Sequence, residues 1–511
     1  MSGLRPGEIR AAMPAILLAA INAKWIHPSL ALRLLKANLG RLEDQCEIME
    51  FALRQPLNEK VDPILAARPR LLALSVSIWN HQATLELLKT LEAKWIPHGQ
   101  KPIIVLGGPE VSWLPKNAEI FQYADYVIRG EGEESFRSLC FRLFYGEENV
   151  SYTFTKERTG DKDLVFINEG NTAVDLDKIA PAYYLYTGED LKRKLIYVES
   201  SRGCPFECEF CLGPARPRGL SPVREFPLEP FLADMGNLIS RGARQFKFLD
   251  RSFNLNIDRA IRIMGFFLDR ITAPAEVPVP SKEKPLCVHF EMVPGRFPPA
   301  LKEVLRRFPP GSLRIELGIQ TFNAETAALI KRSDNSGETL ETLKFLRAET
   351  NAIIHADLIA GLPGESLASF GAGFDLLWQA LSGTPGLKSS GSRFTADRSF
   401  EIQLGILKCL PGTPISRHNK TFGMKYSAGP PYEVLESAAM PAPEIVKIKN
   451  FARFWEIIVN RGHFPELTAR LFPPGESVFG EFMKLSQKLL ENFGRNWGID
   501  RTELGKFLVS Q

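Results

Sequence analysis

The sequence predicts an α/β protein with three parts: a doubly wound parallel sheet, a partial (β/α)6 barrel and a small helical C-terminal domain. Short apolar runs alternate with helical periodicity over residues 14–145, and a second alternating series covers residues 195–415. Helical periodicity continues without strand patterns over residues 420–511. Strands alternating with helices indicate a parallel sheet with helices on both faces.

Five short apolar runs predict the strands of the first domain, at residues 15–21, 47–51, 71–77, 103–106 and 126–128. Between them, leucines recur at helical spacing. Such sheets bind ligands at the carboxyl ends of their strands. The loops at those ends contain five candidate binding residues: Asn22, Ser77, Gly107, Gly108 and Gly130. The Gly-x-Gly at residues 130–132 lacks the third glycine of a dinucleotide fingerprint, so no nicotinamide site is expected.

A connector with a small hairpin is predicted over residues 146–194, because the runs at 152–155 and 164–167 flank a turn-prone segment. The strands of the second domain are predicted at residues 196–199, 246–249, 288–291, 313–317, 353–358 and 402–407. Six strands with helices between them favour a partial barrel over a complete eightfold one. Barrels of this kind carry out their chemistry at the carboxyl ends of the strands.

Three cysteines, Cys204, Cys208 and Cys211, lie in the loop after the first barrel strand. A four-iron cluster normally takes one cysteine thiolate on each iron, so three thiolates leave one iron open to a small molecule. The spacing therefore predicts an iron–sulfur cluster, with these cysteines as metal ligands, at the catalytic end of the barrel.

Neither a zinc site nor simple packing accounts for the three cysteines as well as a cluster does. A structural zinc site needs four protein ligands, and the nearest cysteines outside the loop are the distant Cys140 and Cys287. Cysteines that only pack are expected in apolar surroundings, whereas this segment is rich in Gly, Pro and Glu. A cluster site is the interpretation that fits both observations.

Composition limits the partners and the compartment. The net charge of +4 is small for 511 residues, so no nucleic-acid partner is indicated. Seven cysteines, three of them clustered, argue against a disulfide framework and for a reducing compartment. Arg5 and Arg10 precede an apolar run at 15–21 as in a signal peptide, but the run is short and fits a buried strand equally well. We therefore expect a cytoplasmic location, and no apolar stretch is long enough to predict a membrane span.

The cysteine spacing after the first strand of a six-stranded half-barrel resembles the radical S-adenosylmethionine (SAM) superfamily. Phe210 occupies the aromatic position that this superfamily favours before the third cysteine. Four further segments are similar to those of the oxygen-independent coproporphyrinogen dehydrogenases, at residues 290–294, 317–322, 330–332 and 356–363. The resemblance implies that SAM is held by Glu291, Gln320, Arg332 and Asp357.

These residue types suit SAM, which carries an amino group, a carboxylate and ribose hydroxyls. Acids pair with its ammonium and hydroxyls, and an arginine pairs with its carboxylate. The alternative is that Glu291 and Asp357 are strand-end charges facing solvent. The superfamily often places Gly-Gly-Glu after the second strand, where this chain has Leu-Asp-Arg-Ser-Phe at 249–253. The resemblance implies that Asp250 takes the place of that glutamate.

A parallel-sheet domain before the barrel makes the chain similar to the cobalamin-binding branch of the superfamily, related to the anaerobic magnesium-protoporphyrin monomethyl ester cyclases. Within that branch, the chain resembles uncharacterised members that end in a helical domain. The resemblance implies a flavodoxin-like first domain, a partial TIM barrel, and cobalamin binding at the five loop residues named above. Asp-x-His-x-x-Gly, which supplies a histidine ligand to cobalt, does not occur.

Two histidines and two tryptophans lie on the loops where cobalamin is expected. His27 and His81 are the histidines within reach, but lone histidines are more often structural and hydrogen-bonded. We therefore expect no protein histidine on the lower face of the cobalt. Trp25 and Trp79 either pack against the corrin or fill the core.

The resemblance implies an enzyme that uses a 4Fe–4S cluster, SAM and cobalamin to form a 5'-deoxyadenosyl radical and methylate an unactivated carbon. Its substrate is unknown, and its electron donor is expected to be a flavodoxin or ferredoxin. Two alternatives stay open: a radical cyclase without methyl transfer, and a non-catalytic cobalamin or iron–sulfur sensor. A methylthiotransferase is disfavoured, because a second cysteine triplet is needed and only Cys46 and Cys140 precede the loop.

Overall fold

The computed structural model describes residues 14–95, 101–147, 153–159, 162–168, 173–213, 223–272, 285–332, 336–382, 399–464, 472 and 476–510. The described chain divides into two compact units, one ending at Tyr197 and the other beginning at Val198. Among these residues, every helix is too short or too polar to cross a membrane.

The first unit is built on a seven-stranded sheet of order β2-β1-β3-β4-β5-β7-β6. Its strands are β1 (Ile16–Asn22), β2 (Cys46–Ala52), β3 (Leu71–Ser75), β4 (Ile103–Gly107), β5 (Tyr126–Ile128), β6 (Phe154–Thr159) and β7 (Lys162–Ile167). Its helices are α1 (Leu30–Ala37), α2 (Leu57–Ala67), α3 (His81–Trp95), α4 (Glu133–Tyr145) and α5 (Gly188–Arg193). Short 3-10 turns cover residues 40–45, 119–123, 176–178 and 183–185. All pairs from β2 to β7 are parallel, and the order of β1 to β5 is that of a flavodoxin-like sheet.

Strand β1 shows why the strands of the first domain have continuously apolar sequences. Leu17, Ala19 and Ile21 belong to the core on one face of the sheet, while Ile16 and Leu18 belong to the core on the other. A parallel strand covered by helices on both faces has no solvent side and therefore no alternation. The run that resembles a signal peptide is this buried strand.

The predicted hairpin of the connector is present, but it is also part of the sheet. β6 and β7 pair antiparallel with each other, and β7 pairs in parallel with β5, with Tyr126 opposite Val165. The sequence pattern predicted the two strands and gave no sign of their partner. The pairing extends the sheet beyond β5, which has only three residues.

The second unit contains the partial barrel, a six-stranded sheet of order β15-β14-β13-β12-β11-β8. Its strands are β8 (Ile196–Val198), β11 (Gln245–Phe248), β12 (Cys287–Met292), β13 (Leu313–Gln320), β14 (Ile353–Ala360) and β15 (Phe400–Ile406), and a separate hairpin joins β9 (Ser201–Gly203) to β10 (Val223–Glu225). Its helices are α6 (Leu228–Ser240), α7 (Ile257–Thr272), α8 (Pro299–Arg306), α9 (Ala324–Leu329), α10 (Ser336–Glu349) and α11 (Leu367–Ser382). All six barrel strands lie where the sequence predicted them.

The barrel strands alternate, unlike the strands of the first unit. In β13, Leu313, Ile315 and Leu317 are buried, whereas the intervening Arg314 and Glu316 are half-buried. One face of the sheet packs against helices and the other lines the interior of the barrel, so the side chains repeat with a period of two. The interior face is therefore polar.

The C-terminal segment consists of α12 (Asn419–Phe422), β16 (Lys425–Tyr426), β17 (Val434–Glu436), α13 (Ala442–Trp455), α14 (Val478–Phe493) and α15 (Arg501–Val509), with a 3-10 turn at 414–418 and a π-helical turn at 456–460. Its aromatic residues form one core with the barrel helix α11: Phe374 packs edge-on against Trp455 and also contacts Phe479. The sequence predicted a separate helical domain from residue 420. The structure groups these helices with the barrel in one compact unit.

Candidate functional site

The three loop cysteines lie in the second unit, directly after the β9 strand. Cys208 is buried, and Cys204 and Cys211 are half-buried. The backbone N–H of Gly213 donates to Cys211 Sγ at 3.2 Å, and Arg332 Nη1 donates to Cys208 Sγ at 3.6 Å. Hydrogen bonds of this kind stabilise thiolate sulfur, which is the form that binds metal.

Burial has the opposite effect on two of these thiols. It raises the pKa of Cys204 and of Cys208 because it removes the thiolate from water. The Arg332 guanidinium lowers the pKa of Cys208, and the Arg251 guanidinium lowers the pKa of Cys204. Raised pKa values mean that the thiols ionise fully only when a cation binds them.

The described residues contain no three His, Cys, Asp or Glu side chains arranged to share one metal ion. In a four-iron cluster each thiolate binds a different iron, so the thiols of a cluster site do not have to meet at one point. The donor set of this loop, three thiols with N–H donors to their sulfurs, fits such a cluster.

Glu291 and Asp357 lie on the interior face of the barrel, on either side of β13. Glu291 is opposite Glu316 in the register of β12 and β13, and Asp357 is opposite Gly318 in the register of β13 and β14. Burial, followed by the negative charges of Glu316 and Glu291, raises the pKa of Asp357 to about 8. Burial also raises the pKa of Glu291. Asp357 is therefore mostly protonated at neutral pH.

Gln320 ends β13 in an unusual conformation. Its φ is +74°, and the register between β13 and β14 shifts between Gly318 and Gln320. A Cβ added at Gly318 would lie 2.6 Å from Gln320 Nε2, so the glutamine side chain lies against the glycine. The bulge thus keeps Gln320 beside Gly318, which is opposite Asp357.

Arg332 joins the cysteine loop to the barrel interior. It contacts Cys208 Sγ, donates a second hydrogen bond to the carbonyl of Gly318, and is close enough to Glu291 to lower its pKa. Cys208, Glu291, Gln320, Arg332 and Asp357 therefore lie around one part of the barrel.

Arg251 is a functional candidate that the sequence analysis missed. Its charge lowers the pKa of both Cys204 and Glu291, so it lies near the cysteine loop and the barrel interior. It directly follows Asp250 in the segment that replaces the usual Gly-Gly-Glu. That departure from the superfamily pattern was the available signal.

Asp250 is enclosed by protein groups. Its carboxylate accepts hydrogen bonds from Ser200 N at 2.9 Å, Ser200 Oγ at 2.6 Å and Ser201 Oγ at 2.7 Å. Only 1% of the residue is exposed, and burial raises its pKa. These bonds hold the start of the cysteine loop. Phe210, within that loop, is half-buried.

The barrel interior has two layers that differ in their hydrogen bonding: one near the amino-terminal ends of the strands, and one further along the strands, where the predicted SAM residues lie. Glu316 pairs with Lys247 Nζ at 2.9 Å and His289 Nε2 at 3.2 Å, and Gln403 Nε2 lies 2.9 Å from His355 Nδ1. In the part of the chain that the structure describes, Arg332 and Asp250 have protein partners for their side chains. The other acidic and amide residues predicted to hold SAM have no such partners there: Glu291, Gln320 and Asp357. Polar groups that are half-buried and unpaired are suited to a ligand.

In the first unit, the predicted binding residues lie at or just after the carboxyl ends of β1, β3, β4 and β5, which are neighbours in the sheet. Asn22 Nδ2 donates to Glu50 at 3.1 Å, and the backbone N–H of Ser77 donates to the Asn80 side chain at 2.7 Å. The backbone N–H of Gly130 donates to Ser112 Oγ at 3.0 Å. These three loops are thus held by local hydrogen bonds.

The two glycines at the carboxyl end of β4 differ. A Cβ on Gly108, whose φ is +105°, would lie 2.6 Å from the carbonyl oxygen of Val76. Packing of the protein itself therefore requires this glycine. At Gly107 the nearest atom to an added Cβ is 3.8 Å away, the carbonyl oxygen of Ile128, so no protein contact requires the absence of a side chain.

The loops after β1 and β3 meet at the point where the strand order reverses, which is where such sheets bind ligands. Each loop carries an exposed tryptophan, Trp25 at 46% and Trp79 at 52% exposure. Both histidines have protein partners: His27 Nδ1 lies 2.8 Å from Tyr197 Oη, and His81 Nδ1 lies 2.9 Å from Glu110 Oε1. The exposed aromatic surfaces fit a large flat ring, and each histidine is held by a hydrogen bond at Nδ1.

Three family models match separate parts of the chain. Residues 16–140 match the B12 binding domain, residues 198–377 match the Radical SAM superfamily, and residues 420–498 match a family described as "Protein of unknown function (DUF4080)".

Curated relatives include the cobalamin-dependent radical SAM methyltransferase TokK of Streptomyces tokunonensis, which is 25% identical over 381 residues, or 71% of this chain and 50% of the relative. The 2-(S-pantetheinyl)-carbapenam-3-carboxylate methyltransferase of Streptantibioticus cattleyicolor is 24% identical over 395 residues, or 74% of this chain and 52% of the relative. The chain spans about half the length of these two relatives.

Two solved structures share the fold. The cobalamin-dependent SAM radical enzyme OxsB, with aqua-cobalamin and SAM bound, aligns with a TM-score of 0.64 and 16% identity, covering 98% of this chain and 75% of OxsB. The radical SAM methyltransferase TsrM from Kitasatospora setae, with cobalamin and a [4Fe-4S] cluster bound, aligns with a TM-score of 0.60 and 15% identity, covering 93% of this chain and 100% of TsrM. These likenesses confirm the predicted fold class.

Proposed function

Because the chain joins a B12-binding domain to a radical SAM domain, we propose that it is a cobalamin-dependent radical SAM enzyme that methylates an unactivated carbon. The observation that carries the proposal is the contact of Arg332 with Cys208 beside three polar side chains that have no hydrogen-bond partner among the described residues. A cluster on the cysteines and SAM in the barrel would use both groups.

When bound, the cluster and SAM supply a 5'-deoxyadenosyl radical, and methylcobalamin supplies a methyl group. Cys204, Cys208 and Cys211 would hold three irons of the cluster. Arg332 offers a fixed guanidinium to the SAM carboxylate. Glu291, when ionised, accepts hydrogen bonds from the SAM ammonium or hydroxyls, while protonated Asp357 offers one donor and one acceptor.

Two properties of the loops in the first unit suit cobalamin: exposed aromatic side chains and an accessible stretch of backbone. Trp25 and Trp79 offer exposed aromatic surface, and Gly107 leaves the backbone accessible. Because Asp-x-His-x-x-Gly does not occur in the sequence, we propose that the cobalt has no histidine ligand from this chain.

A one-electron donor of the flavodoxin or ferredoxin class would reduce the cluster, and the carbon substrate is a further partner. Both stay predictions. The methyltransferase proposal is favoured over the radical cyclase and the sensor because TokK and the carbapenam enzyme are both named as methyltransferases.

The test is anaerobic purification followed by iron and cobalamin analysis and incubation with SAM and a chemical reductant. 5'-Deoxyadenosine together with S-adenosylhomocysteine supports a methyltransferase. 5'-Deoxyadenosine alone supports the cyclase, and neither product from fully loaded protein supports a sensor. Protein that takes up neither iron nor cobalamin would contradict all three.

A matched pair of variants tests the cobalamin loops. Trp79→Ala is expected to retain less cobalamin than wild type while keeping its melting temperature, because the side chain is already 52% exposed. Trp497→Ala serves as the control, since Trp497 is 65% exposed in the second unit. Equal cobalamin retention by the two variants would argue against a corrin contact at Trp79.

A further inference from the structure

Glu209 is a buried carboxylate in the middle of the cysteine loop, between Cys208 and Cys211. Its side chain has 0% exposure. Taking a carboxylate out of water is unfavourable unless it is paired and hydrogen-bonded. A leucine or methionine at this position would fill the same space without that cost, so packing alone does not explain the charge.

Two side chains from the turn before α12 pair with this carboxylate. His418 Nε2 lies 2.8 Å from Glu209 Oε2 and is itself 9% exposed, and Arg417 forms an ion pair with Oε1 from the surface. The loop is thus tied to a segment more than two hundred residues further along the chain.

The main chain of Glu209 adds two further ties. Its N–H donates to the carbonyl of Ile330 at 3.2 Å, and its carbonyl accepts from the N–H of Ile415 at 3.0 Å. Ile330 and Ile415 are both fully buried. Ile330 lies two residues before Arg332, whose guanidinium contacts Cys208 Sγ. Glu209, which is not itself a predicted metal ligand, therefore connects the cysteine loop to two other segments. These are the segment that contains Ile330 and Arg332, and the turn at 414–418.

We propose that Glu209, held by His418, is a positioning residue for the cluster: it fixes the cysteine loop, and its negative charge offsets the Arg417 guanidinium, which on its own would raise the reduction potential of the cluster. This rests on the proposed function, since it requires a cluster on the cysteines. Negative charge beside a cluster disfavours the added electron, and groups behind metal ligands tune both affinity and potential.

The test compares Glu209→Gln with Glu207→Gln after anaerobic reconstitution. Glutamine has nearly the same shape and removes only the charge. Glu207 is the matched control: it lies equally close to Cys208 in sequence, but its side chain is 61% exposed and pairs with the exposed Lys331. The readouts are the midpoint potential from an EPR-monitored titration, the rate of iron loss to a chelator, and the melting temperature of the apoprotein.

Removal of a group behind metal ligands typically costs about 10- to 100-fold in metal affinity. We therefore expect Glu209→Gln to raise the midpoint potential and to lose iron about 10- to 100-fold faster than wild type. Glu207→Gln should match wild type in both. An unchanged potential in Glu209→Gln overturns the proposal, even if iron is lost faster, because a merely structural residue would not change the potential.

His418 variants decide the question if Glu209→Gln does not fold. His418→Gln keeps an N–H donor and should hold iron nearly as well as wild type, whereas His418→Leu should lose it faster. Equal rates of iron loss in the two variants overturn the proposal. Wild-type protein that holds no cluster would overturn the proposed function, and this inference with it; wild-type protein that holds a cluster indifferent to Glu209 overturns this inference alone.

Discussion

Replacing Asp357 by asparagine removes a buried carboxyl group whose pKa is strongly raised. Burial and the charges of Glu316 and Glu291 raise the pKa of Asp357 from its ordinary 3.8 to about 8, with Lys247 acting in the opposite direction. At neutral pH this carboxyl group is then protonated in about nine-tenths of the native protein molecules. Asparagine mimics that neutral form.

The sign of the effect on stability follows from proton binding. Between pH 4 and pH 8 the native state keeps the Asp357 proton and the unfolded state has lost it, so the native state binds more protons and stability falls as pH rises. For these two pKa values, the loss between pH 6 and pH 8 is about 2 kcal/mol. Asp357→Asn should not show this loss, and should be the more stable protein at pH 8.

Two measurements on the apoprotein check this. Infrared difference spectra between wild type and Asp357→Asn should show a carboxylic acid C=O band that disappears with a midpoint near pH 8. In denaturant unfolding, the free energy of unfolding of the variant minus that of wild type should grow by about 2 kcal/mol from pH 6 to pH 8. Asp258→Asn, at an exposed position on α7, is the control. A C=O band that disappears near pH 4, with a constant stability difference, would refute the argument from burial.

Three further substitutions test other parts of the structure. Cys208→Ala is expected to lose most of its iron after reconstitution while Cys409→Ala, outside the loop, retains it; equal iron contents would contradict the cluster assignment. Gly108→Ala should destabilise the first unit by about 2 kcal/mol or more, because the added Cβ lies 2.6 Å from a backbone carbonyl oxygen, and a melting temperature no lower than that of Gly107→Ala would rule out this clash. Asp250→Asn should cost about 1–3 kcal/mol and speed iron loss, since an amide cannot accept all three hydrogen bonds; unchanged values would show that these bonds are dispensable.

Strand positions were predictable because burial controls local residue choice. β5 was predicted at Tyr126–Ile128, where the structure has it, and the six barrel strands agree to within a few residues. Partners across the fold were less predictable. The pairing of β7 with β5 depends on the open edge of a three-residue strand, which no local pattern records.

The C-terminal helices show the same limit. Their periodicity predicted helices correctly, but not that Phe451 and Trp455 would share a core with Phe374 of the barrel helix α11. A helix's apolar face shows that it packs, and the identity of the packing partner depends on the complete fold.

Part of the candidate site could be located from a motif, and its ligand roles stay predictions. Motif resemblance predicted Arg332, and the structure places it on Cys208. Arg251 was missed because it is close to Cys204 and Glu291 only in the folded barrel. The tie between Glu209 and His418 was invisible for the same reason, since their separation in the sequence is 209 residues.

The barrel interior gives the strongest argument for where a ligand binds. Near the amino-terminal ends of the strands, Glu316 forms an ion pair with Lys247 and lies 3.2 Å from His289 Nε2, and these contacts lower the pKa of Glu316 to about 2. Further along, Asp357 shares the same face, yet burial raises its pKa to about 8 because no protein group donates to it among the described residues. Natural interiors pair almost all of their polar groups, so a paired layer beside an unpaired one indicates that the second layer receives its partners from a bound molecule.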